Sequence, residues 1–198
     1  MARILLLDNY DSFTFNLLHY VEEFKGVEVD VFRNDQIAIE DVKRYDGILL
    51  SPGPGLPQQS GLLMPIINEY KNSKRIFGVC LGLQAIALEF GGELENLTRV
   101  YHGEATLMHK TEHDHYLFSD LPSSFLAGRY HSWVVSKRNL PSSLRVTATD
   151  DEGLIMAMCH TDLDICGVQF HPESILSPEG KKIIFNWLKP FVAASYWR

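Results

Sequence analysis

One cysteine in this sequence stands where a nucleophile would. Cys80 lies between Gly78 and Gly82, at the point where an apolar run turns into a helical pattern. A strand-to-helix turn of this kind presents a nucleophile, and the two glycines leave room for the chain to pass closely. The positive end of the following helix favours thiolate over thiol. Cys80 is therefore a candidate nucleophile, although a small buried core residue would fit the same pattern.

A catalytic thiolate needs a base, and the base needs a group that holds its tautomer. His171 ends an apolar, strand-like run, and Glu173 follows two positions later. In extended backbone two such residues lie on one face, where the carboxylate can accept the imidazole N–H. Pro172 biases His171 toward that geometry. The alternative is a surface His-Pro turn with an exposed glutamate, and the sequence alone does not place His171 beside Cys80.

A third candidate group is the loop Ser51-Pro-Gly-Pro-Gly55, which follows an apolar run. Glycines let backbone N–H groups approach a substrate carbonyl, and prolines fix the loop. Such donors can form an oxyanion hole, in which one donor is worth about a hundred- to a thousandfold in rate. A plain turn is the alternative interpretation of Pro-Gly-Pro-Gly.

The elements that must position these groups follow from the hydrophobic pattern. In the first half, β-like runs alternate with helical patterns, which predicts a parallel sheet with crossover helices. Predicted strands cover 3–7, 28–32, 47–50 and 76–79, and predicted helices cover 13–24, 61–70 and 81–90. Asp11 or Ser12 is the predicted N-cap of the first helix.

After about residue 93 shorter runs predict antiparallel or mixed strands, and a helix closes the chain. The strands cover 104–109, 133–136, 144–148, 154–160 and 165–171, with a hairpin at 161–164, and the helix covers 178–192. We therefore predict an α/β fold: an open, twisted, mostly parallel sheet flanked by helices in flavodoxin-like layers, with an additional small antiparallel or mixed sheet. Loops at the carboxyl ends of parallel strands should share one edge with Cys80.

Composition limits the classes of function. The chain has 198 residues and a net charge of −7, which fits one domain over 1–198 and argues against nucleic acid as a partner. No stretch is long and apolar enough for a bilayer, and the opening residues predict a strand rather than an export signal, so we expect a cytoplasmic protein. Three cysteines are an odd number for a disulfide framework, and reduced thiols are expected.

Two further features have alternatives. Cys159, His160, Cys166 and His171 could suggest zinc, but their spacing does not match a structural zinc site, and we expect both cysteines to pack within the hairpin. The aromatic tail, 193–198, could dock on a partner, although a frayed end is the simpler expectation.

Together these segments resemble the class I, triad-type glutamine amidotransferases over essentially the whole chain. The matching motifs are Ser51–Gly55, Gly78–Gln84 and Gly167–Glu173. The opening segment Leu7–Asn16, with Arg129–Ser132 and His171–Leu176, is similar to the amidotransferase subunits of anthranilate synthase and of aminodeoxychorismate synthase.

The resemblance implies a role for each motif residue. Cys80 would be the nucleophile, His171 the general base and later acid, and Glu173 the group that orients His171. The implied glutamine-binding and oxyanion residues are Gly53, Pro54, Gly55, Leu81, Gln84, Ser132 and Trp133. Of these, Leu81 would act through its backbone N–H. Ser132 and Trp133 would bind the α-amino and carboxylate end of glutamine through their backbone.

The implied reaction is hydrolysis of L-glutamine through a cysteinyl thioester, with ammonia passing to a separate synthase subunit that binds chorismate and magnesium. No metal or organic cofactor is expected in this chain. The first expectation is anthranilate for tryptophan biosynthesis; the alternatives are aminodeoxychorismate for p-aminobenzoate and folate, service to both, or a non-catalytic scaffold. Glutamine use should fall at acid pH as His171 becomes protonated.

Overall fold

The structure, a computed structural model, describes residues 1–113 and 115–193. Its strands are β1 (Ala2–Asp8), β2 (Val27–Arg33), β3 (Gly47–Leu50), β4 (Arg75–Val79), β5 (Leu94–Asn96), β6 (Glu104–Lys110), β7 (Ser124–Arg129), β8 (Trp133–Val135), β9 (Leu144–Asp150), β10 (Ile155–His160) and β11 (Ile165–Val168). Its α-helices are α1 (Thr14–Glu23), α2 (Leu63–Tyr70), α3 (Leu81–Glu89) and α4 (Gly180–Ala193). Short 3-10 helices cover Ile39–Arg44, Pro57–Gln59 and Tyr116–Phe118.

Nine strands form one mixed sheet in the order β2-β1-β3-β4-β11-β10-β9-β6-β7, and β5 pairs with β8 in a separate two-stranded sheet. The strands from β2 to β11 are parallel to one another. From β11 onward each pairing is antiparallel, beginning with the β10–β11 hairpin. The predicted antiparallel strands thus extend the parallel sheet, and the additional small sheet is β5–β8.

Helices cover both faces of the sheet because its central strands are apolar on both sides. In β1, Ile4 and Leu6 belong to one core, with Leu17 of α1 and Trp187 of α4. Leu5 and Leu7 belong to the other core, which includes residues of α2 and α3. Ile183, Ile184, Trp187 and Leu188 of α4 are fully buried, as their helical spacing predicted.

The strand order places a set of loops at one edge. The order β2-β1-β3-β4-β11 is that of flavodoxin-like sheets, in which ligands bind at the carboxyl ends of the strands. Asn9, Ser51, Cys80 and Gln169 each follow the end of one of these parallel strands directly. The fold therefore collects the predicted loops at one edge.

The predicted fold class is confirmed, and three local predictions are wrong. Neither Asp11 nor Ser12 caps α1: its N-cap is Phe13 and lacks a side-chain cap, while Asp11 Oδ2 accepts a hydrogen bond from Phe13 N. The last strand ends at Val168 rather than at 171, because the chain turns toward β7. The sequence pattern did not predict strands β5 and β7. Strand β5 has only three residues, and β7 contains a glycine beside a buried arginine.

The predicted packing of Cys159 and Cys166 is confirmed, because both are buried and are paired across the β10–β11 hairpin. No helix within the described ranges is long and apolar enough to cross a membrane. The aromatic tail, for which a frayed end was predicted, lies outside the described residues from 194 onward.

Candidate active site

Cys80 occupies a sharp turn between β4 and α3. Its backbone has φ 51° and ψ −100°, a sparsely populated positive-φ conformation that costs a residue with a side chain about 1–3 kcal/mol. Gly78 and Gly82 have no space for side chains, as predicted: a Cβ on Gly78 would lie 2.4 Å from the backbone carbon of Gly82. A Cβ on Gly82 would lie 2.7 Å from Leu50 Cβ. The turn therefore requires both glycines and presents the cysteine in a strained conformation.

His171 and Glu173 form a buried hydrogen-bonded pair. His171 Nδ1 lies 2.7 Å from Glu173 Oε1. The backbone between them is a turn, in which Ser174 N donates to His171 O, and not the extended chain that the sequence predicted. Because Nδ1 is engaged with the carboxylate, Nε2 is the nitrogen that remains for a reacting partner.

The main chain of His171 is fixed on both sides. His171 N donates to Gly128 O at 2.9 Å, and Ser177 Oγ donates to His171 O at 2.6 Å. Gly128 N in turn donates to Ser177 Oγ. These bonds anchor the turn to β7 and hold the imidazole without a regular strand.

Aromatic rings surround the imidazole. The Phe13 and Tyr130 rings both meet His171 edge-on, with ring centroids 5.6 Å and 4.8 Å from it. Tyr130 also shares a hydrogen bond of 3.0 Å with Ser174 Oγ. The rings reduce solvent access to the imidazole and restrict its rotation.

The electrostatics of the site favour a charged imidazole. Burial lowers the pKa of His171, but Cys80 and Glu173 outweigh burial, and the net pKa lies well above the ordinary histidine value. Burial raises the pKa of Glu173, and the bond from His171 opposes that rise. Within the described part of the chain His171 Nε2 has no hydrogen-bond partner of standard geometry, so this atom is available near Cys80.

The Ser51–Gly55 loop packs directly on the start of α3. A Cβ on Gly53 would lie 2.6 Å from Asn9 O and 2.8 Å from Leu81 Cδ2. The Asn9 side chain donates to Ser51 O, and Asn9 N donates to Ser51 Oγ, so the loop after β1 holds the loop after β3. The two predicted oxyanion elements, the loop and the Leu81 end of the helix, are therefore adjacent.

A cavity of about 340 Å³ connects the predicted residues. This volume falls within the roughly 300–1,000 Å³ that is usual for small-molecule sites. It is lined by Gly53, Pro54, Gly55, Cys80, Gln84, Tyr130, His131, Ser132 and Trp133. Six of the seven predicted glutamine-site residues line it; the seventh, Leu81, directly follows Cys80 in the chain and has a buried side chain.

Sequence reasoning assigned no role to Gln169, which lies beside the thiol. Gln169 Nε2 is 3.5 Å from Cys80 Sγ, and its Oε1 accepts a hydrogen bond of 3.2 Å from Gln84 Nε2. Gln84 Nε2 also donates to Trp133 O at 2.9 Å. The sequence offered one signal for Gln169, because it is a polar residue inside the apolar run that precedes His171.

Tyr130 and His131 line the cavity, but the sequence pattern gave them no role beyond membership of a motif. They follow β7, a strand that the hydrophobic pattern did not predict. Their position in the cavity depends on the pairing of β7 with the turn of His171, which joins segments far apart in the sequence.

A strained cysteine above a flavodoxin-like sheet, with a His–Glu pair, is the arrangement of α/β enzymes that have a cysteine-centred triad. The chain belongs to the class I glutamine amidotransferase family, whose profile matches residues 5–191.

Two related sequences and one solved structure support membership of this family. The chain is 47% identical over 192 residues to an anthranilate synthase beta subunit (subunit 2, chloroplastic) of Oryza sativa, covering 94% of this chain and 70% of that protein. It is 47% identical over 188 residues to anthranilate synthase component 2 of Azospirillum brasilense, covering 93% and 94% of the two chains. A solved Thermoplasma acidophilum protein, provisionally described as one subunit of a GMP synthase, superposes with a TM-score of 0.85 at 26% identity, over 99% and 96% of the two chains.

Proposed function

We propose that this protein is the glutamine amidotransferase subunit of an anthranilate synthase and supplies ammonia from glutamine. The observation that carries the proposal is the strained Cys80 in the lining of the cavity, beside a buried His171–Glu173 pair. The names of the relatives support anthranilate as the product and do not favour the aminodeoxychorismate alternative.

The first chemical step forms a thioester. The Cys80 thiolate attacks the side-chain amide carbon of glutamine, and His171 donates the proton with which ammonia departs. Glu173 holds the Nδ1–H tautomer and stabilises the imidazolium, so that Nε2 carries the transferred proton. The raised pKa of His171 supports this role, because the imidazolium is then available as an acid at neutral pH.

The second step hydrolyses the thioester. Water adds to the thioester carbonyl as His171 takes its proton, and glutamate leaves as the thiolate is restored. The negative oxygen of each tetrahedral intermediate is proposed to be held by the Leu81 N–H, at the start of α3, and by the Gly53 loop. This chain needs no metal or organic cofactor for these steps, and magnesium belongs to the synthase partner.

The receiving subunit is proposed to bind chorismate and to dock at the edge that carries the site. Ile175 lies two residues after Glu173 and is 95% exposed. Phe15 lies two residues after Phe13, whose ring contacts His171, and is 60% exposed. Exposed apolar side chains next to site residues in the chain favour this edge as the place where a partner docks. A partner on this edge would receive ammonia close to where it forms.

Co-purification of the protein with its natural synthase partner tests the proposal. The complex is supplied with chorismate and either glutamine or ammonium, and anthranilate is measured by its fluorescence. We expect anthranilate from both nitrogen sources in the wild type, and from ammonium alone in Cys80→Ala. Cys159→Ala, which removes another buried thiol, is the matched control and should keep glutamine use.

The outcomes separate the candidates. Aminodeoxychorismate in place of anthranilate would establish the alternative product. Product from ammonium but never from glutamine in the wild type would indicate a non-catalytic scaffold.

A further inference from the structure

We propose that His131 is a positioning residue: it is held by the buried Arg129–Asp150 pair and fixes the main chain of Trp133 at the glutamine-binding end of the cavity. The proposal rests on the proposed glutaminase function and adds a residue to that site.

A buried ion pair anchors the network. Arg129 NH1 lies 2.7 Å from Asp150 Oδ2, and the two side chains are 1% and 3% exposed. The guanidinium also lies over the Tyr101 ring, 3.5 Å from its centroid, and His131 stacks on the same ring at 5.4 Å. Arg129 therefore has one fixed orientation, and so does the plane of His131.

This orientation determines the tautomer of His131. Arg129 Nε lies 3.1 Å from His131 Nε2. Because a guanidinium can only donate hydrogen bonds, Nε2 must be the acceptor and the proton must sit on Nδ1. Burial lowers the pKa of His131 to about 3, with Arg129 and His171 adding to the effect, so the ring stays neutral at physiological pH.

The Nδ1–H group of His131 donates a hydrogen bond to the main chain of Trp133. His131 Nδ1 lies 3.1 Å from Trp133 O, which also accepts the hydrogen bond from Gln84 Nε2 at 2.9 Å. A carbonyl oxygen has two lone pairs, and these donors use both. The Trp133 carbonyl is thus held from two sides by side chains.

The direction of the Trp133 N–H follows from this arrangement. Ser132 O accepts from Leu97 N, so Trp133 and Asn96 form a non-hydrogen-bonded pair of the β5–β8 ladder. In such a pair the C=O and N–H of Trp133 both point away from the partner strand. Hydrogen bonds that hold the carbonyl on that side therefore also fix the direction of the Trp133 N–H, which is the backbone group that can donate to the carboxylate of glutamine.

Two substitutions separate positioning from simple packing. His131→Asn can place an amide N–H near the position of Nδ1, which keeps the donor to Trp133 O but loses the acceptor for Arg129. His131→Gln can place its oxygen near the position of Nε2, which keeps the acceptor but loses the donor. We expect His131→Gln to raise KM for glutamine about tenfold or more, with kcat nearly unchanged, because one hydrogen bond is lost at a binding group.

The same assay gives the control. His131→Asn should stay within a few-fold of the wild-type KM, and ammonium-dependent anthranilate formation should be unaffected in both variants. If His131→Gln is the variant that retains function, or if kcat falls with KM unchanged, His131 does not position the glutamine site.

A spectroscopic measurement tests the network even if the chain proves not to use glutamine. Histidine ¹⁵N NMR should show His131 with its proton on Nδ1 and without titration between pH 5 and 8. Titration in this range, or a proton on Nε2, would overturn the proposal while leaving the glutaminase function to the anthranilate assay.

Discussion

His171 and Glu173 meet at 2.7 Å within a single buried turn, and this contact decides which imidazole nitrogen is available to Cys80. The carboxylate takes Nδ1, which leaves Nε2 for the thiol and for the departing ammonia. The turn is held to β7 and to Ser177, so the orientation does not depend on a regular strand.

Replacing Glu173 by glutamine should lower kcat/KM for glutamine by about a hundredfold or more, because His171 loses the group that stabilises its charged form. Ammonium-dependent turnover of the complex is the internal control. Equal loss from both nitrogen sources would mean that the substitution disturbs the complex rather than the triad.

The pH profile of glutamine use should be bell-shaped. On the alkaline side activity falls when the imidazolium of His171 loses its proton; on the acid side it falls when Glu173, whose pKa is raised by burial, takes up a proton and no longer stabilises the imidazolium. The sequence assigned the acid limb to protonation of His171, but the raised pKa of that group makes the imidazolium the working form at neutral pH. Since the pKa of His171 is raised well above its ordinary value, the alkaline limb lies above pH 6.5. Glu173→Gln removes one cause of the rise, so that limb should move to lower pH. An alkaline limb below pH 6.5, or a limb that Glu173→Gln does not move, would contradict the assignment.

Gly78→Ala should abolish most glutamine use, because its Cβ would lie 2.4 Å from the backbone of Gly82 and would displace the turn of Cys80. Displacement of a nucleophile by about 1 Å can cost a hundredfold in rate. Gly91→Ala is the control: its φ of +88° carries backbone strain, but the nearest atom, Pro141 Cγ, is 4.0 Å away. It should lose about 1 kcal/mol in urea unfolding and keep its turnover. Similar turnover in the two variants would show that the glycine spacing is unimportant.

Arg129→Met should lower the free energy of unfolding by about 3–5 kcal/mol, because it leaves Asp150 charged and buried without its partner. The double variant with Asp150→Asn should recover part of the loss. Arg3→Met is the comparison, since Arg3 and Asp30 also lie 2.8 Å apart but are 41% and 43% exposed. That pair should be worth at most about 1 kcal/mol. Equal losses for the two arginines in urea unfolding would be evidence against the buried network.

Ile175→Asp should weaken binding of the synthase partner, since it replaces an exposed apolar side chain on the edge proposed as the interface by a charge. Titration calorimetry with the purified partner measures the change, and Ile175→Leu, which keeps an apolar side chain, is the control. Unchanged affinity in Ile175→Asp would exclude this edge from the interface.

Several elements were predictable because their cause is local. The alternation of apolar strands and amphipathic helices predicted the parallel half of the sheet, and the helical spacing of Ile183, Ile184, Trp187 and Leu188 predicted the buried face of α4. Strands β5 and β7 were not predictable, since their pairing and burial come from distant partners. The strand ending at Val168 was predicted too long because the sequence does not show where the backbone leaves its neighbour.

By itself the sequence determined the residue types of the site, the glycine spacing at Cys80 and the family, because short motifs are set by local steric and chemical requirements. Tertiary structure alone decided which distant groups meet: the turn of His171 against β7, Gln169 beside the thiol, and Arg129 against Asp150. These contacts join residues from separate strands and loops. Their geometry therefore follows from the packing of the whole sheet, which no single segment encodes.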